Sequence, residues 1–211
     1  MIKETMTVHG ALAELKMLDK RIESKIDGAK FAFTNKTTNT KVGGKDLKKV
    51  VEDMNSAYDS IVDLICRRAA IRKALSASNA MTRVVIAGKE YSVAEAIEMK
   101  RSGVAVLGDL LSAMTLQRSV AQDDAKRVND KLGDKADAQV ASIYGTKEKV
   151  TTAEAMSMRE AYISANTMDV VTIDKLDEKI EKLDMEISEF YRNVDVALSV
   201  SNATTTIEIE Y

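Results

Sequence analysis

The chain runs for 211 residues without a single proline. At ordinary frequency about ten would be present. Proline removes a backbone donor and clashes with the preceding helical turn, so long helices exclude it. Its complete absence predicts a mainly α-helical chain built from long, uninterrupted helices. The side chains agree. There are eleven Met, a good helix former that fills irregular gaps, and only three Phe, six Tyr and no Trp.

Apolar spacing marks the helices. Val8, Ala11, Leu15, Leu18 and Ile22 step by three and four, the seam of a helix that packs on another. Asp27-Gly28 ends that helix. Leu47, Val50, Met54, Ala57, Ile61 and Leu64 form the seam of a second, predicted over Lys45–Ala77. Ile97, Val104, Leu107, Leu111 and Met114 mark a third, predicted over Val93–Lys131. Its start, Ser92-Val93-Ala94-Glu95, has the capping-box form. Beyond Gln117 the pattern turns polar, and residues 117–150 read as a projecting arm or loop. A further helix begins at Thr152. The last helix is the clearest: Ile173, Leu176, Ile180, Leu183, Ile187, Phe190, Val194 and Ala197 hold three-four spacing for over three heptads.

Short strands interrupt the helices at residues 29–43, 81–91 and 203–211. Phe31 and Phe33 alternate with small or polar residues, Asn35–Asn39 reads as a turn, and Thr40-Lys41-Val42 as its return strand. Gly43-Gly44 then breaks the hairpin. Thr82, Val84, Val85 and Ile86 are β-prone. Two segments repeat: Ala74–Ile86 and Ala197–Ile209 share Ala, Leu, Ser, Ser, Asn, Ala, Thr and the final Ile at matching positions. A fainter echo is Asn39-Thr40-Lys41-Val42 followed by Gly44-Lys45-Asp46, which parallels Thr82-Arg83-Val84 followed by Gly88-Lys89-Glu90. The repeat predicts a recurring joint, where a helix stops at Ser-Asn and the chain leaves as a strand. Such strands are expected to pair into a small β patch on one elongated helical domain spanning 1–211. The last, carrying Ile207, Ile209 and Tyr211, is expected to pair in trans.

Little chemistry is encoded. Lys+Arg number 31 against Asp+Glu 33, a net charge of −2, so no basic field draws nucleic acid. The one Cys excludes an internal disulfide. Cys66 reads as a buried or half-buried small side chain, and His9, the one histidine, as an exposed or capping residue. Gly43-Gly44-Lys45 and Gly88-Lys89 lack the remainder of a phosphate loop. Asp123-Asp124 lacks EF-hand spacing and reads as a solvated face. No cofactor, metal or catalytic set is implied. No apolar run reaches the ~18–20 residues of a membrane span. Met1–Thr5 holds no apolar stretch of signal-peptide type, so a soluble chain made in a cytoplasm is expected.

Ser78-Asn79-Ala80-Met81-Thr82, Gly88-Lys89-Glu90-Tyr91, Ser92–Ile97 and the ending Phe190–Ile209 carry a resemblance. They resemble a loosely defined group of long-helix proteins from bacteria and their phages, some called septicolysin-like. The likeness covers most of the chain, although the tryptophan usual after the final Asn is absent. It implies an α-helical, oligomeric protein, with phage-encoded members as virion components; the lack of a catalytic set in the residues adds the expectation of a non-enzymatic protein. The expected function is therefore structural: a bacteriophage head, neck or tail component that associates with itself and with other proteins of the particle. The expected contact residues are Ile173, Leu176, Ile180, Leu183, Ile187, Phe190, Ile207, Ile209 and Tyr211. A pore-forming, membrane-active protein and a small ligand-binding bundle are the alternatives.

Overall fold

A computed structural model describes residues 2–145 and 152–211. In chain order the elements are β1 (Lys3–Thr7), α1 (Val8–Gly28), β2 (Lys41–Val42), β3 (Lys45–Asp46), α2 (Leu47–Met81), β4 (Arg83–Ile86), β5 (Lys89–Ser92) and α3 (Val93–Glu98). A π-helical turn, Met99–Gly103, leads into α4 (Val104–Asn129). Then come α5 (Leu132–Tyr144), α6 (Ala153–Asn166), α7 (Leu176–Thr204) and β6 (Thr206–Glu210). The protein is mainly α, with small two-stranded antiparallel sheets.

A single domain is expected from the sequence, but contacts divide the chain into two compact units. One comprises Met1–Arg101 with Glu189–Tyr211, the other Ser102–Ser188. In the first, α1 packs on α2 and β6 lies on α2. Its core joins Val8, Ala11, Leu15 and Leu18 to Ile71, Leu75, Ile207 and Ile209. In the second, α5 packs on α6. Leu132, Ala136, Val140 and Ala155 are buried there, and Arg159 meets Asp137 at 2.7 Å. Also in the second unit, Asn129 and Met168 exchange two hydrogen bonds of 2.8 Å, and Arg118 pairs with Asp177 at 2.7 Å.

The strands do not join into one patch. Among the described residues they form three separate sheets: β1–β6, β2–β3 and β4–β5. The expected strand through Phe31 and Phe33 is absent; residues 29–40 hold no strand, and Phe31 is 54% exposed. Alternation favours a strand only where a partner and a covered face exist. Instead, Gly43-Gly44 is itself the turn of a two-residue hairpin, with φ of 56° and 83°. Ala87 and Gly88, at 49° and 76°, make the same kind of turn between β4 and β5. Left-handed φ at both central residues is what a tight hairpin demands.

The last strand pairs within its own chain. β6 runs antiparallel to β1, with Lys3 opposite Glu210 and Thr7 opposite Thr206. The expectation of pairing in trans is corrected: Ile207 and Ile209 face the chain's own helices. The predicted third helix runs from Val93 to Asn129 and carries a π-helical turn at Met99–Gly103. Ala96 and Val104, both buried, lie eight residues apart, one more than a heptad. The π turn between them absorbs the extra residue and returns Val104 to the seam. The expected arm at 117–150 is helical where described: α4 continues to Asn129, α5 follows, and Gly145 caps it at φ 87°. Residues 146–150 of that expected arm lie outside the described residues.

Candidate interaction surface

One strand-to-helix closure recurs three times, and at two of these places it follows directly on the end of a long helix. The Thr82 amide donates to the Ser78 carbonyl at 2.8 Å, and the Thr205 amide to the Ser201 carbonyl at 2.9 Å. Each threonine stops a long helix and starts a strand. That strand pairs with one leading directly into another helix. There the first helical amide returns to the threonine carbonyl: Val93 to Thr82 at 2.9 Å, Val8 to Thr205 at 2.9 Å, and Leu47 to Thr40 at 2.8 Å. The residue before that amide caps the helix each time. Thr7 accepts from the Gly10 amide, Ser92 from the Glu95 amide and Asp46 from the Lys48 amide.

Two of these modules are covered. In the β1–β6 module, Ile207 and Ile209 are buried with Val8, Ala11, Leu15 and Leu18 beneath Ile71 and Leu75 of α2. In the β4–β5 module, Val84, Ile86, Val93 and Ala96 are buried at the corresponding places. Tyr91 there meets Phe190 of α7 edge-on, with ring centroids 6.0 Å apart.

Arg67 locks the first module. Its guanidinium donates to both oxygens of Glu14, to Glu4 at 2.8 Å and to the Tyr211 hydroxyl, and it sits 4.9 Å from the Tyr211 ring centroid. Glu14 first, then Glu4, raises the Arg67 pKa above its ordinary value. The hydrogen bond from Arg67 in turn holds the exposed Glu4 carboxyl below its ordinary 4.5. In the second module the Ser92 backbone amide, then the Ser92 hydroxyl, lowers the Glu95 carboxyl.

A pH dependence follows. A carboxylate whose pKa is depressed by folding adds stability above its unfolded pKa and loses it as pH falls through the folded value. Glu4→Gln is therefore expected to lower stability at pH 7 and to make progressively less difference in acid, as the pH falls through the lowered Glu4 pKa. Urea unfolding of both proteins at pH 7 and in acid checks this; an unchanged gap at low pH contradicts it.

The third module is the uncovered one. Its seam, Leu47, Val50, Met54 and Ala57, corresponds position by position to Val8, Ala11, Leu15 and Leu18. The latter four are buried, whereas the former are only half-buried. The cause is length. α1 runs antiparallel to α2 and ends about level with Ser60, whose hydroxyl meets Lys25 at 2.6 Å. Among the described residues of the same unit, α1 therefore does not extend beside the first three turns of α2. A groove of about 820 Å³ opens there, lined by Ile26, Phe31, Val51, Met54, Tyr58 and Ile61 among others. Phe31 and Tyr58 are each more than half exposed. This groove is the candidate interaction surface.

The residues expected to make contacts fall into three groups. Ile207 and Ile209 are core, and Tyr211 is half-buried against Arg67. Phe190 is buried between Tyr91 and Tyr191. Leu176, Ile180, Leu183 and Ile187 are half-buried on one face of α7, and Ile173, just before that helix, is exposed. Cys66, expected to be buried or half-buried, is exposed. Apolar spacing alone does not reveal the groove, because several of its residues also fit the inner seam of the second helix. The signal was present: Val51, Tyr58 and Ile65 are apolar residues off that seam.

Among the described residues no group of three or more His, Cys, Asp and Glu is placed to hold a metal ion. No helix among them is long and apolar enough to cross a membrane. The chain matches no family model, no curated protein and no solved structure.

Proposed function

We propose that this protein is a structural assembly component, most concretely a bacteriophage virion protein of the head, neck or tail that works by associating with itself and with neighbouring proteins. The observation that carries the assembly reading is the uncovered third module: an apolar groove at the place where two sister modules are closed by a helix. An exposed patch of that kind on a soluble unit marks an interaction site. The heptad face of α7 and the likeness of the joints to long-helix phage proteins support the particle setting.

The test is recovery of the chain from gradient-purified particles of its source, probed with an antibody. Enrichment with the particles at fixed stoichiometry is expected. A chain found only as free monomer in the soluble fraction overturns the reading.

A further inference from the structure

We infer that the outer face of α4 is a self-association surface, where two copies of this chain meet antiparallel about a two-fold axis at Ala113. The inference rests on the assembly reading above and adds a contact in the unit made of Ser102–Ser188.

The helix is poor in charge all round. Between Ser102 and Gln122 only Asp109 and Arg118 are charged, in a chain that is 30% charged. Arg118 is already engaged with Asp177 at 2.7 Å. The inner face, with Leu107, Leu111 and Met114, is half-buried in its own chain. The other side is bare: Val106 is 66%, Leu110 52%, Leu116 64% and Val120 51% exposed, with Ala113 exposed among them. A surface helix ordinarily turns charged and polar residues to water on that side. A continuous apolar stripe in their place marks a face that is covered in use.

The order of the stripe points to its occupant. Val106, Leu110, Ala113, Leu116 and Val120 are spaced four, three, three and four, so they read the same in both directions. The polar neighbours keep the symmetry: Asp109 and Gln117 lie four residues to either side of Ala113, and both are exposed. A face with this order is complementary to its own reverse, which is what an isologous two-fold contact requires. A partner of different sequence imposes no such symmetry. Laid antiparallel and crossing at Ala113, two helices bring Val106 level with Val120 of the second copy and Leu110 level with its Leu116. The Gln117 amide then donates to the Asp109 carboxylate, once on each side of the axis. Alanine at the crossing lets the helices approach closely. From Val106 to Val120 is about 21 Å of helix. One helix pair of that length lies at the small end of specific interfaces, so the dimer is reversible and its population rises with concentration.

The experiment places opposite charges across the axis and adds a cross-link. Leu110→Glu and Leu116→Lys, made in separate chains, are each expected to weaken self-association about tenfold or more, because each homodimer then buries two charges against leucine. Mixing the two variants is expected to restore association. The introduced carboxylate then faces the introduced ammonium on one side of the axis, and the other side keeps its leucine pair. Both positions are exposed, so circular dichroism should show an unchanged fold. Separately, Ala113→Cys in a Cys66→Ser background is expected to form a disulfide-linked dimer under mild oxidant. Thr115→Cys, also exposed but turned to the far side of the helix, is expected not to. A chain that self-associates, gains nothing on mixing and links no faster through Ala113→Cys than through Thr115→Cys overturns this contact and leaves the assembly reading standing. A chain that stays monomeric at every concentration overturns this contact, and absence from particles then removes the wider reading as well. A stripe cross-linked in particles to a different protein overturns the second copy as its occupant.

Discussion

Deleting residues 206–211 is expected to unfold the unit made of Met1–Arg101 and Glu189–Tyr211, rather than to release subunits from one another. The segment is β6, and it contributes Ile207 and Ile209 to the core at 5% and 2% exposure. Removing a buried isoleucine down to alanine costs about 2–5 kcal/mol, and here two are lost with everything beyond Cβ. The loss also strips β1 of its only partner among the described residues and removes Tyr211 from Arg67. The total exceeds about 5 kcal/mol, comparable with the whole stability of an ordinary domain. Thermal unfolding followed by circular dichroism should show the loss, and Ile209→Ala should show about half of it. An unchanged melting temperature with a smaller solution mass would mean that the strand pairs between chains.

Phe190→Ala is expected to destabilise the same unit by about 3–5 kcal/mol while leaving the solution mass unchanged. Phe190 is 4% exposed and meets Tyr91 and Tyr191 edge-on, at 6.0 and 6.3 Å between ring centroids. Such ring pairs add about 0.5–1.5 kcal/mol beyond area burial. The ring closes the β4–β5 module from within the chain. Urea unfolding and the near-ultraviolet dichroism of the tyrosines report both effects. Wild-type stability with a reduced mass would place Phe190 at a boundary between copies.

Residue patterns carried the helices well, because a helix that buries one face must place apolar side chains at steps of three and four. Val8, Ala11, Leu15 and Leu18 were legible for that reason. So was the Ser92–Glu95 capping box, which is a local hydrogen-bond arrangement. The repeated joint was legible because Ser78 and Ser201 accept from Thr82 and Thr205 across a single turn. The partners of the strands were not. Lys3–Thr7 buries no side chain, and only Met6 is half-buried, so no alternation announces it. Its partner lies some two hundred residues away in sequence, and nothing local encodes that closure. Phe31 and Phe33 misled in the opposite sense, since aromatic residues favour strands yet here line an open surface. The π turn escaped notice because a one-residue slip in a seam resembles an ordinary change of face.

The groove was hidden for a related reason. A seam and an uncovered seam have the same sequence. Leu47, Val50 and Met54 read like Val8, Ala11 and Leu15; the difference is that α1 stops at Gly28. Only the comparison of three modules in space shows that one lacks its cover.

The most direct measurement is the solution mass of the full chain by sedimentation equilibrium, across a wide range of concentrations. A rise from 23.1 kDa to whole multiples of it with increasing concentration is expected. A mass of 23.1 kDa at every concentration would contradict it.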